Sequence, residues 1–79
     1  MSTQNEKFTK ESKNVESTEY NKETKELFVV FKSFRDPKIT TRYVYRGVPE
    51  EKWEALKKAE SLGGFINKEI KGSYDYDKL

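Results

Sequence analysis

Apolar residues are sparse over the first 19 positions, where only Met1, Phe8 and Val15 interrupt Ser, Thr, Asn, Gln, Glu and Lys. From Tyr20 onward they fall into two β-like stretches and then two helical ones. Leu27-Phe28-Val29-Val30-Phe31 alternates Leu27, Val29 and Phe31 on one face with Phe28 and Val30 on the other, the two-residue period of a strand. Both faces are apolar, so this strand is expected to be covered twice, by helices on one side and by a partner or the leader on the other. Ile39-Thr40-Thr41-Arg42-Tyr43-Val44-Tyr45 is β-branched and aromatic, a second strand. Ile39, Thr41, Tyr43 and Tyr45 share one face; Thr40, Arg42, Val44 and Arg46 share the other. A short link, Ser33 to Lys38, makes the pair antiparallel. Ahead of them, Asn21 starts a turn that leads out of a short strand near Tyr20, since an Asn side chain bonds the backbone two residues on.

After Gly47-Val48-Pro49 the period changes. Pro49 suits a first helical position, and Glu50 and Glu51 complement the positive end of a helix. Trp53 and Leu56 repeat at helical spacing, opposite a Lys/Glu face, which places Trp53 in the core. Ser61 is the N-cap of a second short helix carrying Leu62, Phe65, Ile66 and Ile70. Gly63 and Gly64 weaken that helix but allow close backbone approach, and Gly72 stands just past its end. Tyr74 packs back on the body. The expected architecture is α+β: a small antiparallel β-hairpin or sheet followed by two short helices packed on one face. Residues 1–19 are expected to form a disordered polar leader, because their composition buries too little to offset chain ordering. In a second reading they order on a partner, with Phe8 as anchor. Residues 20–79 form the domain.

Composition narrows the chemistry. With 79 residues, no Cys and no His, the chain has no disulfide framework, no thiol nucleophile, no His-based triad and no Cys/His zinc site. No Asp-x-Asp-x-Asp-Gly loop points to calcium. No catalytic residue, metal ligand or cofactor site is assigned; a Ser61/Lys68 nucleophile pair has nothing to depress the lysine pKa. No apolar run approaches the ~20 residues of a membrane span, and a cytoplasmic location is expected.

Charge then picks out one segment. The net charge is only +2, yet Lys32, Arg35, Lys38, Arg42 and Arg46 lie within 15 residues that hold one acid, Asp36. Phosphates favour such a patch, and Phe34, Tyr43 and Tyr45 beside it are candidate platforms for base stacking. Strand alternation sends Arg42 and Arg46 to one face and Tyr43 and Tyr45 to the other. The tyrosines are therefore either core beneath the helices or stacking residues. A second constellation, Ser61, Gly63, Gly64, Asn67, Lys68 and Lys71, could cradle an anion at a glycine-bearing helix start; the competing reading is a Ser cap with glycines packed on the sheet.

The residues Leu27-x-Val29-x-Phe31, Tyr43-Val44-Tyr45, Val48-Pro49 and the run from Ser61 to Tyr74 resemble the KTSC domain, named for its place at the C-terminus of some lysyl-tRNA synthetases. The last block, Ser61-Leu62-Gly63-Gly64-Phe65-Ile66-Asn67-Lys68-Glu69-Ile70-Lys71-Gly72-Ser73-Tyr74, is the specific one. The resemblance covers about Tyr20 to Tyr74 and implies a small α+β domain that binds RNA or another nucleic acid. It departs from the family's tight glycine turn, having Ser33-Phe34-Arg35-Asp36-Pro37-Lys38 between its strands. The first expectation is thus a non-enzymatic module binding RNA or single strands. The alternatives are a protein-interaction or inhibitor module of phage or mobile-element origin, including a homodimer through the strand apolar on both faces, and a binder of a nucleotide signal held by Ser61, Gly63, Gly64, Asn67 and Lys71.

Overall fold

The Asn21 side chain organises the central hairpin. Its Oδ1 accepts hydrogen bonds from the Glu23 and Thr24 amides at 2.9 and 3.1 Å, and the turn closes at Lys25 with a left-handed φ of 62°. The computed structural model describes residues 5–10, 14–33, 35–36 and 38–79. On either side of the turn run β2 (Val15–Asn21) and β3 (Glu26–Lys32), preceded by β1 (Asn5–Phe8) and followed by β4 (Thr40–Tyr45). Helix α1 (Glu50–Lys58) and the short α2 (Leu62–Phe65) come next; α2 runs into a π-helical turn, Ile66–Ile70. The chain returns to the sheet as β5 (Tyr76–Lys78). The sheet order is β1-β2-β3-β4-β5, every pair antiparallel. This is the α+β arrangement expected, with β1 and β5 added to the two long strands and the short one predicted near Tyr20.

Much of the predicted leader is sheet. Residues 5–8 and 15–19, expected to be disordered, pair with one another and with β3; residues 1–4 and 11–13 lie outside the described residues. Their polar composition misleads because a strand on an uncovered sheet needs only every second residue to be apolar. Glu6 and Phe8 point to the helices, while Asn5 and Lys7 point away. A register shift between Val15 and Ser17 inserts one residue opposite Phe31 and so turns Val15 into the core, where alternation alone would have exposed it. Phe8 anchors on its own molecule, edge-on to Trp53 at 6.4 Å.

The core lies between one sheet face and the helices. Tyr20, Leu27, Val29 and Tyr45 from the strands meet Val48, Trp53, Leu56, Leu62, Ile66 and Ile70, all buried. The Tyr20 ring stacks on Trp53 at 5.4 Å and its hydroxyl donates to the Val48 carbonyl. Pro49 is the N-cap rather than the first helical residue; it is extended, and its carbonyl accepts from the Lys52 amide. Ser61 caps α2 as expected, accepting from the Gly64 amide at 3.1 Å. Gly63 is buried against the chain just before β2: a Cβ there would stand 2.5 Å from Asn14 Oδ1. Gly72 ends the π-turn with φ +83°, and Tyr74 packs at the core margin.

The link between β3 and β4 dispenses with glycine by using side-chain acceptors. Ser33 Oγ accepts from the Arg35 and Asp36 amides, and Asp36 Oδ1 accepts from the Lys38 amide at 3.0 Å. Ser33 N–H to Ile39 O closes the loop at 2.8 Å.

Candidate functional site

Both helices pack on one side of the sheet, and among the described residues nothing covers the other. The register places Phe28 between Glu19 and Val44, and Val30 between Ser17 and Arg42, all on that open face. Phe28 and Val30 are half-buried in its centre. The Arg42 guanidinium lies 5.3 Å from the Phe28 ring centroid, in cation–π range. A shallow depression of about 400 Å³ is lined here by Lys7, Ser17, Glu19, Phe28, Val30 and Arg42, together with Thr9 and Thr18. Among the described residues β3 is covered on its helix side alone, since the expected leader cover, residues 5–8 and 15–19, lies in the sheet beside it.

The predicted basic cluster divides in two. Lys32 faces Thr40 at the far end of the β3–β4 ladder, and exposed Arg35 and Lys38 continue from it into the loop. Lys32 and Arg42 lie on the open face with Arg35 and Lys38 in the loop at its end, and no ion pair among the described residues engages these four. Arg46 is separate. It lies about 13 Å along the strand from Arg42 at strand rise, and Asp77 holds it at 2.6 Å with Glu26 at 4.0 Å. Arg46 is thereby neutralised within the molecule and leaves the patch.

Tyr43 and Tyr45 are on the helix side, opposite Val29 and Leu27. Tyr45 is 1% exposed and belongs to the core, so it cannot stack a base on the basic face. Burial pushes its hydroxyl pKa up, with Tyr43 and Tyr76 adding to the effect. Tyr43 is half-buried, edge-on to Phe31 at 5.6 Å. Phe34 lies outside the described residues.

The expected anion cradle does not assemble. The Gly64 amide is taken by Ser61 Oγ and the Phe65 amide by the Ser61 carbonyl, while Gly63 faces Asn14. Lys68 shares a shallow depression with Ser61 and Gly64, but Glu60 and Glu69 line it too, and repel an anion. Asn67 is exposed. Lys71 belongs to a different cleft, beside Tyr43, Tyr45 and Tyr76.

A family model of the KTSC domain matches residues 11–74. The chain belongs to the KTSC family. The crystal structure of a KTSC domain protein from Yersinia pestis is similar over 95% of this chain and 97% of that one, at 25% identity and a TM-score of 0.80. No curated protein sequence matches. The family match begins at residue 11 and so includes residues 15–19 of β2, which composition alone had assigned to the leader.

In this chain ion pairs tie β1 to α1 and α1 to the π-turn, and they also set protonation. Glu6 on β1 accepts from Lys57 Nζ at 2.7 Å and from Trp53 Nε1 at 3.0 Å. The Lys57 hydrogen bond, then that of Trp53, lowers the Glu6 pKa below its ordinary 4.5, and Glu6 in turn raises Lys57. Lys52 and Glu69 pair at 2.9 Å, which raises the lysine and lowers the acid. Among the described residues no cluster of three or more acidic side chains is placed to hold a metal ion, and no helix is long and apolar enough to cross a membrane. Sequence reasoning missed Phe28 and Lys7 as members of the open face. Phe28 was legible, since strand alternation puts it and Val30 on the face of Arg42. Lys7 was hidden by the composition around it.

Proposed function

We propose that this KTSC domain is a non-enzymatic module that binds single-stranded nucleic acid, RNA foremost, on the open face of its sheet. One observation carries the reading: the exposed side of the sheet presents an aromatic ring, Phe28, directly beneath the Arg42 guanidinium, with Lys32, Arg35 and Lys38 leading away from it. A single strand needs this combination, a π surface for one base and a line of cations for successive phosphates. Either Phe28 or the Arg42 guanidinium plane can stack a base. Duplex fits the shallow face less well, because its bases are already stacked and unavailable to Phe28.

Fluorescence anisotropy with a labelled mixed-sequence 20-mer RNA tests this. Four phosphate contacts predict that log K falls with log salt at a slope of about −3, from about −0.7 per contact on a single strand. Phe28→Ala and Arg42→Ala should each weaken binding about tenfold or more, consistent with roughly 1–3 kcal/mol for a stacked base. Arg46→Ala should change it less than twofold, since Asp77 already neutralises that residue. No binding at micromolar protein in low salt would refute the proposal. So would equal losses in all three variants.

A further inference from the structure

The second cleft of interest is on the other side of β4. Tyr43 and Tyr45 from β4 and Tyr76 from β5 form one wall; Lys71 and Gly72, where the π-turn ends, form the other. The cleft measures about 350 Å³, within the range of small-ligand sites. The three rings touch one another, with centroids 5.7 to 6.3 Å apart. That spacing leaves no slot between rings, so a planar ligand would lie against the cluster rather than inside it. Tyr76 is 57% exposed and supplies the accessible ring surface. No carboxylate is among the lining residues. The charge is positive: Lys71 is exposed at the rim, and Lys78 stands opposite Tyr43 in the ladder, on the same sheet face. Asp77, the acid between Tyr76 and Lys78, pairs with Val44 and is directed to the opposite face, where Arg46 holds it.

We infer that this cleft binds a planar aromatic anion of nucleoside monophosphate size, its base against Tyr76 and Tyr43 and its phosphate at Lys71. The ring surfaces supply stacking, and Lys71 supplies an anion contact across the cleft from them. Gly72, at φ +83°, turns the backbone immediately after Lys71, a conformation costly to other residues. This site is separate from the open face, because alternation puts Tyr43 and Arg42 on opposite sides of the same strand.

The test is a titration of the full ¹⁵N-labelled chain with the four nucleoside 5′-monophosphates, their nucleosides and inorganic phosphate, followed by amide shifts. At least one monophosphate should produce saturable shifts centred on Lys71, Gly72 and Tyr76. Its parent nucleoside and phosphate alone should bind about tenfold or more weakly. Tyr76→Ala and Lys71→Ala, both at exposed positions, should each weaken that binding about tenfold while preserving the dispersed spectrum of the folded chain. Arg42→Ala should leave it unchanged, which separates this site from the proposed nucleic-acid face. Absence of saturable shifts at 10 mM of every monophosphate would overturn the inference. So would shifts centred on Phe28 and Arg42, or undiminished binding in Tyr76→Ala.

Discussion

Glu6 shows how a single side chain in an unpromising stretch acquires a role. Its carboxylate receives the indole N–H of buried Trp53 and the Lys57 ammonium, so it satisfies a core donor and fastens β1 to α1. Both bonds favour the charged form, and the folded-state pKa lies below the unfolded one. The linkage sign follows: the contribution is fully present above the unfolded value, near 4.5, and is lost as pH falls through the folded value. Urea unfolding of the wild type should weaken from about pH 5 downward. Glu6→Gln should be less stable at pH 7 and show a flatter acid limb, because it removes a group that binds a proton preferentially when unfolded. Superimposable acid limbs for the two proteins would show that Glu6 is not responsible.

At the scale of elements, hairpin chemistry and helix caps were legible while pairing partners were not. Asn21 and Ser61 do what their residue types predict, because both act on amides two or three residues away. The left-handed residue of the β2–β3 turn is Lys25, not glycine, and a side chain there is strained. Lys25→Gly should therefore stabilise the chain, by up to about 1 kcal/mol after the extra entropy of glycine in the unfolded state is counted. Chemical denaturation with an unchanged m-value is the check; a lower midpoint would mean that the Lys25 side chain contributes more than its backbone costs. β1 and β5 illustrate the opposite case. Neither has an apolar pattern of its own, and each exists because a neighbouring strand offers it a ladder.

For the molecule as a whole, size governs the energetics. A domain this small retains modest net stability, and its core centres on Trp53, which is fully buried between Tyr20, Phe8 and the Glu6 carboxylate. Trp53→Ala should cost about 3–5 kcal/mol, enough to leave the chain largely unfolded at 37 °C. Far-UV circular dichroism against temperature measures it, and a melting point within a few degrees of wild type would place the core elsewhere. The same asymmetry bears on binding. With both helices on one side, the uncovered side collects Phe28, Arg42 and Lys32, whereas the tyrosines move under the helices and out to the β5 edge.

Local order along the chain determined the α+β class, the two central strands, the Trp53 and Ser61 assignments and the separation of Arg42 from Tyr43. Each of these depends on periodicity or on contacts between residues close in sequence, so the order of residues contains them. Tertiary structure alone decided that β1 and residues 15–19 of β2 extend the sheet, that Asp77 removes Arg46 from the basic patch, and that Lys71 joins the tyrosines rather than Ser61 and Gly64. These outcomes depend on meetings between residues up to 31 positions apart, and on which side of a sheet the helices occupy. No local pattern encodes such distances, because the free energy that selects them comes from burial and pairing in the folded molecule.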